Sequence, residues 1–131
     1  MLDVSGLKAG ERAGLIAFGE DYAWIGFDQD GAQRLLVVRS VGRAQEGQPE
    51  SAVFSEPSRA AQVTVRVAVT RGAQFHFAVV DNGTVRDGGR TFQAKPGRWV
   101  GAKVGLFAAA PAGAVNTEWA SFARFKVSAL R

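Results

Sequence analysis

Few side chains in this sequence have the type and spacing to do chemistry. Asp28 and Asp30 flank Gln29 ahead of Gly31. On extended chain that spacing puts both carboxylates on one face. With Gln29 and backbone carbonyls they could give oxygen ligands to calcium, although such sites usually draw more carboxylates together, and a solvated turn is the favoured reading. Glu20 and Asp21 are adjacent, point apart on extended chain, and make a poor acid/base couple. The single histidine, His76, lies between Phe75 and Phe77 on the polar side of an alternating run. A general base there needs a nucleophile, and neither Ser nor Cys stands near it. A small hydrolase centred on His76 and Asp87 is the enzymatic alternative. Neither a Gly-x-Ser-x-Gly elbow nor a phosphate-cradling glycine loop is present. No catalytic residue, metal site or cofactor is assigned.

The aromatic residues offer a different chemistry. Exposed Trp and Tyr on a sheet can serve as platforms for the apolar faces of sugar rings. Tyr22 and Trp24 alternate with Ala23, Ile25 and Phe27, so the two sets occupy opposite faces of one strand. Ile25 and Phe27 make the more apolar face, which assigns Tyr22 and Trp24 to the outer or concave side. Trp99 follows Pro96-Gly97-Arg98 at a rim position, and Trp119 likewise precedes a strand. Tyr22, Trp24 and Trp99 are therefore the carbohydrate-binding candidates.

Composition limits the other options. The chain has 131 residues with no cysteine, which excludes disulfides and thiolate chemistry. A second core would need roughly another hundred residues. Sixteen Lys and Arg stand against twelve Asp and Glu, with no two cations adjacent. Nucleic-acid binders concentrate cations to neutralise successive phosphates, so no nucleic-acid partner is expected. No stretch approaches the roughly 18 apolar residues of a membrane span. Met1-Leu2-Asp3 lacks a signal peptide's charged and apolar regions. A soluble chain with no membrane partner is the expectation.

The elements that must position these residues are strands. Val63 to Val69 alternates four valines with Thr64, Arg66 and Ala68, and Gln74 to Val79 alternates likewise. With a Gly-containing link they read as an antiparallel hairpin, closed by Asp81-Asn82-Gly83. Asn82-Gly83-Thr84 matches a glycosylation sequon but reads first as that turn. Further strands are expected at Arg12–Phe18, Tyr22–Phe27, Gln33–Val41, Thr91–Ala94, Lys103–Ala109 and Ala120–Val127. Segment 42–60 reads as a loop with a short strand at Ala52–Phe54. No window carries helix capping signals. Eight strands with regular turns argue for an all-β antiparallel sandwich or barrel.

One segment narrows this. Gly97-Arg98-Trp99-Val100-Gly101-Ala102-Lys103-Val104-Gly105-Leu106-Phe107-Ala108 resembles the G-x-W-[IV]-G-A-K-V-G-L-F-A run of a known β-sandwich. That sandwich is the concanavalin A-like domain C-terminal to family 43 glycoside hydrolases, which include β-xylosidases and α-L-arabinofuranosidases. Arg12-Ala13-Gly14-Leu15 followed by Asp21-Tyr22-Ala23-Trp24 is similar to its R-A-G-L and D-Y-A-[YW] strands. Gln74-Phe75-His76-Phe77 and Ala120-Ser121-Phe122-Ala123-Arg124-Phe125 fit in the same order. Departures are Ser121 and Arg124, where the family is commonly acidic, and a hairpin at Val79–Gly83 without the family's serine and tryptophan.

The resemblance implies a concanavalin A-like, antiparallel jelly-roll β-sandwich spanning residues 1–131 as one domain. The resemblance also leads to the expectation that the family's strands preceding R-A-G-L are missing here, with the turn Ser5–Gly10 as the first element. In such hydrolases the catalytic carboxylates belong to a separate five-bladed propeller. The resemblance therefore implies an accessory domain, inactive alone, partnered by that propeller, on substrates of xylan or arabinan type. Trp99 or a residue of the 42–60 loop is the choice for reaching a neighbouring pocket. The competing expectations are a free-standing carbohydrate-binding module with an oligosaccharide partner, and a homodimer in which a second copy completes an uncovered sheet edge.

Overall fold

The computed structural model describes residues 1–43, 46–95, 101–115 and 117–129. These form two antiparallel sheets, as the alternating sequence runs require, and no α-helix occurs among them. One sheet has β2 (Arg12–Phe18), β3 (Tyr22–Asp30), β4 (Gln33–Val41) and β5 (Ser51–Pro57) in sequence order, with β10 (Lys103–Ala109) beside β2. The other runs β11 (Ser121–Phe122), β1 (Leu2–Asp3), β6 (Gln62–Thr70), β7 (Gln74–Asp81) and β8 (Thr84–Asp87), with β9 (Phe92–Gln93) also on β7. No helix among the described residues is long and apolar enough to cross a membrane.

The core lies between the sheets. Ala13, Leu15 and Ala17 of β2 stand opposite Phe27, Ile25 and Ala23 of β3, and Leu36 and Val38 of β4 continue the layer. Phe75, Phe77 and Val79 of β7 meet them from the second sheet, joined by Leu2 and Val4. This is the side to which the alternation assigns Ile25 and Phe27. Burying a side chain of this size contributes about 1.5–3 kcal/mol, so the layer is the main stabilising element.

Two glycines set how closely β2 and β3 approach. Gly14 and Gly26 are register partners on the outer face. A Cβ on Gly14 would collide with the Ile25 carbonyl oxygen, and one on Gly26 with that of Ala13. Because the obstacles are backbone atoms, no side-chain movement relieves them. Gly26→Ala is therefore expected to destabilise the fold by about 1–3 kcal/mol, measured by urea denaturation. A change below about 0.5 kcal/mol, the scale of a neutral surface substitution, would show that the strands have room to separate.

The β7–β8 hairpin turns at Asn82 (φ 47°) and Gly83 (φ 79°), both in the left-handed region, with Asp81 paired to Thr84. That two-residue loop matches the right-handed strand twist, as Asn-Gly predicts.

The bounds of β2, β4 and β10 agree with those expected from alternation, and β3, β6 and β7 run slightly longer. Two strands escaped the reading. Leu2–Asp3 is too short to alternate, and Thr84–Asp87 has an exposed, mixed face. The expected short strand at 52–54 extends over Ser51–Pro57, with an irregularity opposite Val38 and Arg39 where Val53 has no register partner. The strand expected over Ala120–Val127 is confined to Ser121–Phe122, and that expected over Thr91–Ala94 to Phe92–Gln93. Among the described residues β11 pairs with the two-residue β1 alone, and it stops where β1 stops.

Candidate functional site

The outer face of the five-stranded sheet gathers most of the polar side chains that could act together. Strand register places Arg12 opposite Asp28, Trp24 opposite Arg39, and Tyr22 opposite Val41. The sequence supplies the alternation, and the antiparallel pairing brings the three strands' outward residues side by side. Glu50, just before β5, then carries a carboxylate in over this face.

Glu50 is the hub. Tyr22 Oη donates to its Oε1 at 2.7 Å and Trp24 Nε1 to the same oxygen at 3.3 Å. Arg12 Nη1 donates to Oε2 at 2.9 Å. The Arg12 guanidinium also lies 5.4 Å from the Trp24 ring centroid, close enough for a cation–π contact. Phe107 of β10 meets the indole edge-on at 5.0 Å. Asp28 is held by Arg39 at 3.0 Å and more loosely by Arg12 at 3.9 Å.

These contacts tune ionisation. Burial pushes the Tyr22 hydroxyl up to about 12 from its ordinary 10.0. The hydrogen bond to Glu50 and that carboxylate's charge add to the rise, and Arg12 opposes it. For Glu50, burial acts upward most strongly. The Tyr22 hydrogen bond, the Arg12 charge and the indole donor together outweigh it and hold the carboxyl below its ordinary 4.5.

Both shifts carry a pH dependence. A depressed carboxyl contributes stability that is present above 4.5 and lost as pH falls through the lowered folded value. A raised tyrosine contributes stability present below 10.0 and lost as pH rises toward about 12. Tyr22 is the only tyrosine in the chain. Its tyrosinate absorbance is therefore expected to titrate near 12 in the folded protein, and to fall only part of the way toward 10.0 in Glu50→Gln, where the burial remains. A midpoint near 10 in the unsubstituted protein would contradict the Tyr22–Glu50 contact.

Chemically, the arrangement is saturated. Each carboxylate is neutralised by arginine, and both Glu50 oxygens accept hydrogen bonds, so neither is presented as a free acid or base. What the cluster does is fasten the end of the β4–β5 connection to the sheet.

The sugar-platform candidates fare differently from one another. Tyr22 and Trp24 share the outer face, as their alternation requires. Trp24, however, is only 1% exposed, because Glu50, Arg12 and Phe107 enclose it. Tyr22 is half-buried with its hydroxyl engaged. Trp99 lies outside the described residues, and Trp119 is exposed. Neither Tyr22 nor Trp24 offers the open ring face that stacking on a sugar requires.

The polar candidates are also dispersed. His76 sits exposed on β7 with Nδ1 3.0 Å from Thr91 Oγ1 and Nε2 3.3 Å from Thr70 Oγ1. Asp87 Oδ1 accepts the Gly89 amide at 2.9 Å. No hydrogen bond or ion pair joins His76 to Asp87 among the described residues. Asp30 is exposed at the β3–β4 turn while Asp28 is ion-paired, and Gln29 donates to the Gly31 carbonyl. Among the described residues no three His, Cys, Asp or Glu side chains gather as metal ligands.

Sequence reasoning missed two carboxylates. Glu50 gave no periodic signal, since it follows Gln48-Pro49 in a segment read as loop. Asp21, read as half of a turn pair, is buried and holds Arg43 N at 2.8 Å and Lys95 Nζ at 3.3 Å.

Comparison with known proteins adds context to this geometry. A family model described as the β-xylosidase C-terminal concanavalin A-like domain matches residues 1–128. No curated protein matches the chain. Among solved structures, a bifunctional GH43-CE protein of Bacteroides eggerthii superposes with a TM-score of 0.75 at 20% identity. It is matched over 91% of this chain but only 15% of its own length. A GH43 glycoside hydrolase engineered to display endo-xylanase and exo-arabinofuranosidase activity gives a TM-score of 0.71 at 20% identity. There 86% of this chain covers 25% of the other.

Proposed function

The chain belongs to the β-xylosidase C-terminal concanavalin A-like domain family, and from that membership we propose a specific role. It is a non-catalytic accessory domain of a family 43 glycoside hydrolase acting on xylan- or arabinan-type oligosaccharides. It packs on the catalytic propeller and helps close that domain's pocket.

The observation that carries the reading is the state of the two carboxylates on the outer face. Glu50 and Asp28 are the acids this sheet brings together, and both are committed to arginine. Glycoside hydrolysis by the common mechanism needs one carboxyl held protonated and a second free to act as base or nucleophile. The opposite holds here, since Glu50 is kept ionised below its ordinary range. The cluster instead gives the sheet a stiff outer surface, which suits a domain whose task is to be packed against. Similarity to solved hydrolases that are several times longer than the matched region fits the same role.

The alternative, a free-standing carbohydrate-binding module, has less support because Trp24 is enclosed and Tyr22 half-buried. Two measurements separate the readings. Sedimentation of the chain with a family 43 propeller lacking its own sandwich is expected to give a complex, and calorimetry with xylan and arabinan oligosaccharides is expected to give no binding heat. Tight oligosaccharide binding without a propeller complex would reverse the ranking.

A further inference from the structure

The Asn82-Gly83 turn that closes the β7–β8 hairpin carries a further chemistry. It is the only Asn-Gly step in the chain. An asparagine followed by glycine can cyclise, because glycine puts no side chain in the way of its own amide nitrogen and lets the peptide swing freely. Whether the step runs in a folded protein depends on two things. The reacting groups must be free, and the backbone must be able to bring them together.

The reacting groups are free. Asn82 and Gly83 are both exposed. Among the described residues the Asn82 carboxamide makes no hydrogen bond, and the Gly83 N–H meets no acceptor. Asp87-Gly88, a related step, is closed off by contrast. Gly88 is buried and donates its N–H to the Phe77 carbonyl at 2.9 Å, while Asp87 Oδ1 accepts the Gly89 amide.

The closed turn, however, holds the groups apart. With a φ of 47° Asn82 lies in the left-handed region, where ψ is also positive. At such ψ the Gly83 nitrogen points nearly opposite to the Asn82 side chain, whereas ring closure needs it eclipsed with Cβ. The Asn82–Gly83 peptide must swing round, and the Asp81–Thr84 pairing does not survive that swing. The cost is therefore set by β8. All four of its residues are exposed, and β7 is its only strand partner among the described residues. Arg86 ties it to Glu56 of β5 at 2.8 Å. A short, exposed edge strand of this kind opens at low cost.

We propose that Asn82 is a site of spontaneous modification, converted through a succinimide to isoaspartate and aspartate in chains whose β8 has opened. The Gly83 nitrogen gives up its proton to solvent base and attacks Asn82 Cγ. The new N–Cγ bond forms, the Cγ–Nδ2 bond breaks, and ammonia leaves with a proton from solvent. Water then opens the ring. Attack at Cγ gives aspartate, and attack at the main-chain carbonyl gives isoaspartate, in which the chain runs through Cγ. Isoaspartate adds a carbon to the chain of a two-residue loop whose twist matches its strands only with both residues left-handed. β8 then no longer closes in its former register, and Arg86 loses its hold on Glu56. The inference goes beyond the accessory-domain reading and does not depend on it.

The test incubates the full chain at mildly alkaline pH and follows residue 82 by peptide mass spectrometry, with isoaspartyl methyltransferase labelling to score isoaspartate. Conversion is expected about tenfold more slowly than in a free peptide of residues 79–86, because the hairpin must open first. Val85→Gly, which weakens β8 at an exposed position, is expected to convert about fivefold faster. In converted chains amides 84–87 are expected to exchange faster than in Asn82→Asp, which carries the new charge without the added carbon. Asn82→Gly keeps a turn of the same type and serves as the unreactive control. Asn82 that stays intact in the folded chain while the peptide converts overturns the proposal. So does a rate unchanged in Val85→Gly, or conversion that leaves no isoaspartate.

Discussion

Trp24→Ala is expected to lower the unfolding free energy by about 3–5 kcal/mol, the scale of removing a large, fully buried aromatic residue. The expectation is specific to the enclosure of Trp24. An indole on an open outer face could be removed for a few tenths of a kcal/mol. Here it fills the space between Phe107, the Arg12 guanidinium and the Glu50 carboxylate. Its removal leaves a cavity on the sheet and a carboxylate with one donor fewer. Trp24→Phe separates the two losses. It keeps most of the packing but gives up the indole N–H and weakens the cation–π contact, for an expected cost of about 1–2 kcal/mol. Urea denaturation followed by circular dichroism measures both. A Trp24→Ala effect under about 1 kcal/mol would return the residue to the exposed class and reopen the sugar-platform reading.

The second large effect is expected at Glu50. Glu50→Ala removes the shared acceptor of Tyr22, Trp24 and Arg12 and leaves three donors unsatisfied. With the carboxylate side chain 17% exposed, water recovers part of the loss, so a cost of about 2–3 kcal/mol is expected. The substitution also frees the end of the β4–β5 connection, so amides around Ser51 should exchange faster. The effect should be strongly non-additive with Tyr22→Phe, with a coupling of about 0.5–3 kcal/mol in a double-mutant cycle. Additive effects would mean that the 2.7 Å contact carries no energy.

These two residues also mark the boundary of what alternation can reveal. The period-two pattern places Tyr22 and Trp24 together and opposite Ile25 and Phe27, and the pairing of β2, β3 and β4 agrees. Which face shares which residues is a property of one strand, so it can be read locally. What covers the outer face is not local. Trp24 is buried by Glu50, 26 residues away, and by Phe107, from a strand at the opposite end of the chain. Neither contact leaves a periodic trace, which is why an outer-face tryptophan read as a platform is closed off.

Strand ends follow the same logic. β2, β4 and β10 are bounded by their own turn residues, and their limits were legible. β11 is bounded by the length of β1 instead, so apolar alternation through Phe125 and Val127 overestimates it. The twelve-residue run ending at Ala108 carried the family resemblance, and residues 1–128 match that family. Val104 and Leu106 lie within that run, and their exposure became visible only once both sheets were in place.

In the proposed role this sandwich supports glycoside chemistry without performing it. Turnover of aryl β-xylosides and aryl α-L-arabinofuranosides by the purified chain tests it most directly. The folded state of each preparation is checked by its cooperative unfolding and by the Tyr22 titration near 12. The account predicts no hydrolysis above buffer from protein that passes both checks. Hydrolysis that follows the protein through purification and disappears in Glu50→Gln or His76→Ala would contradict it.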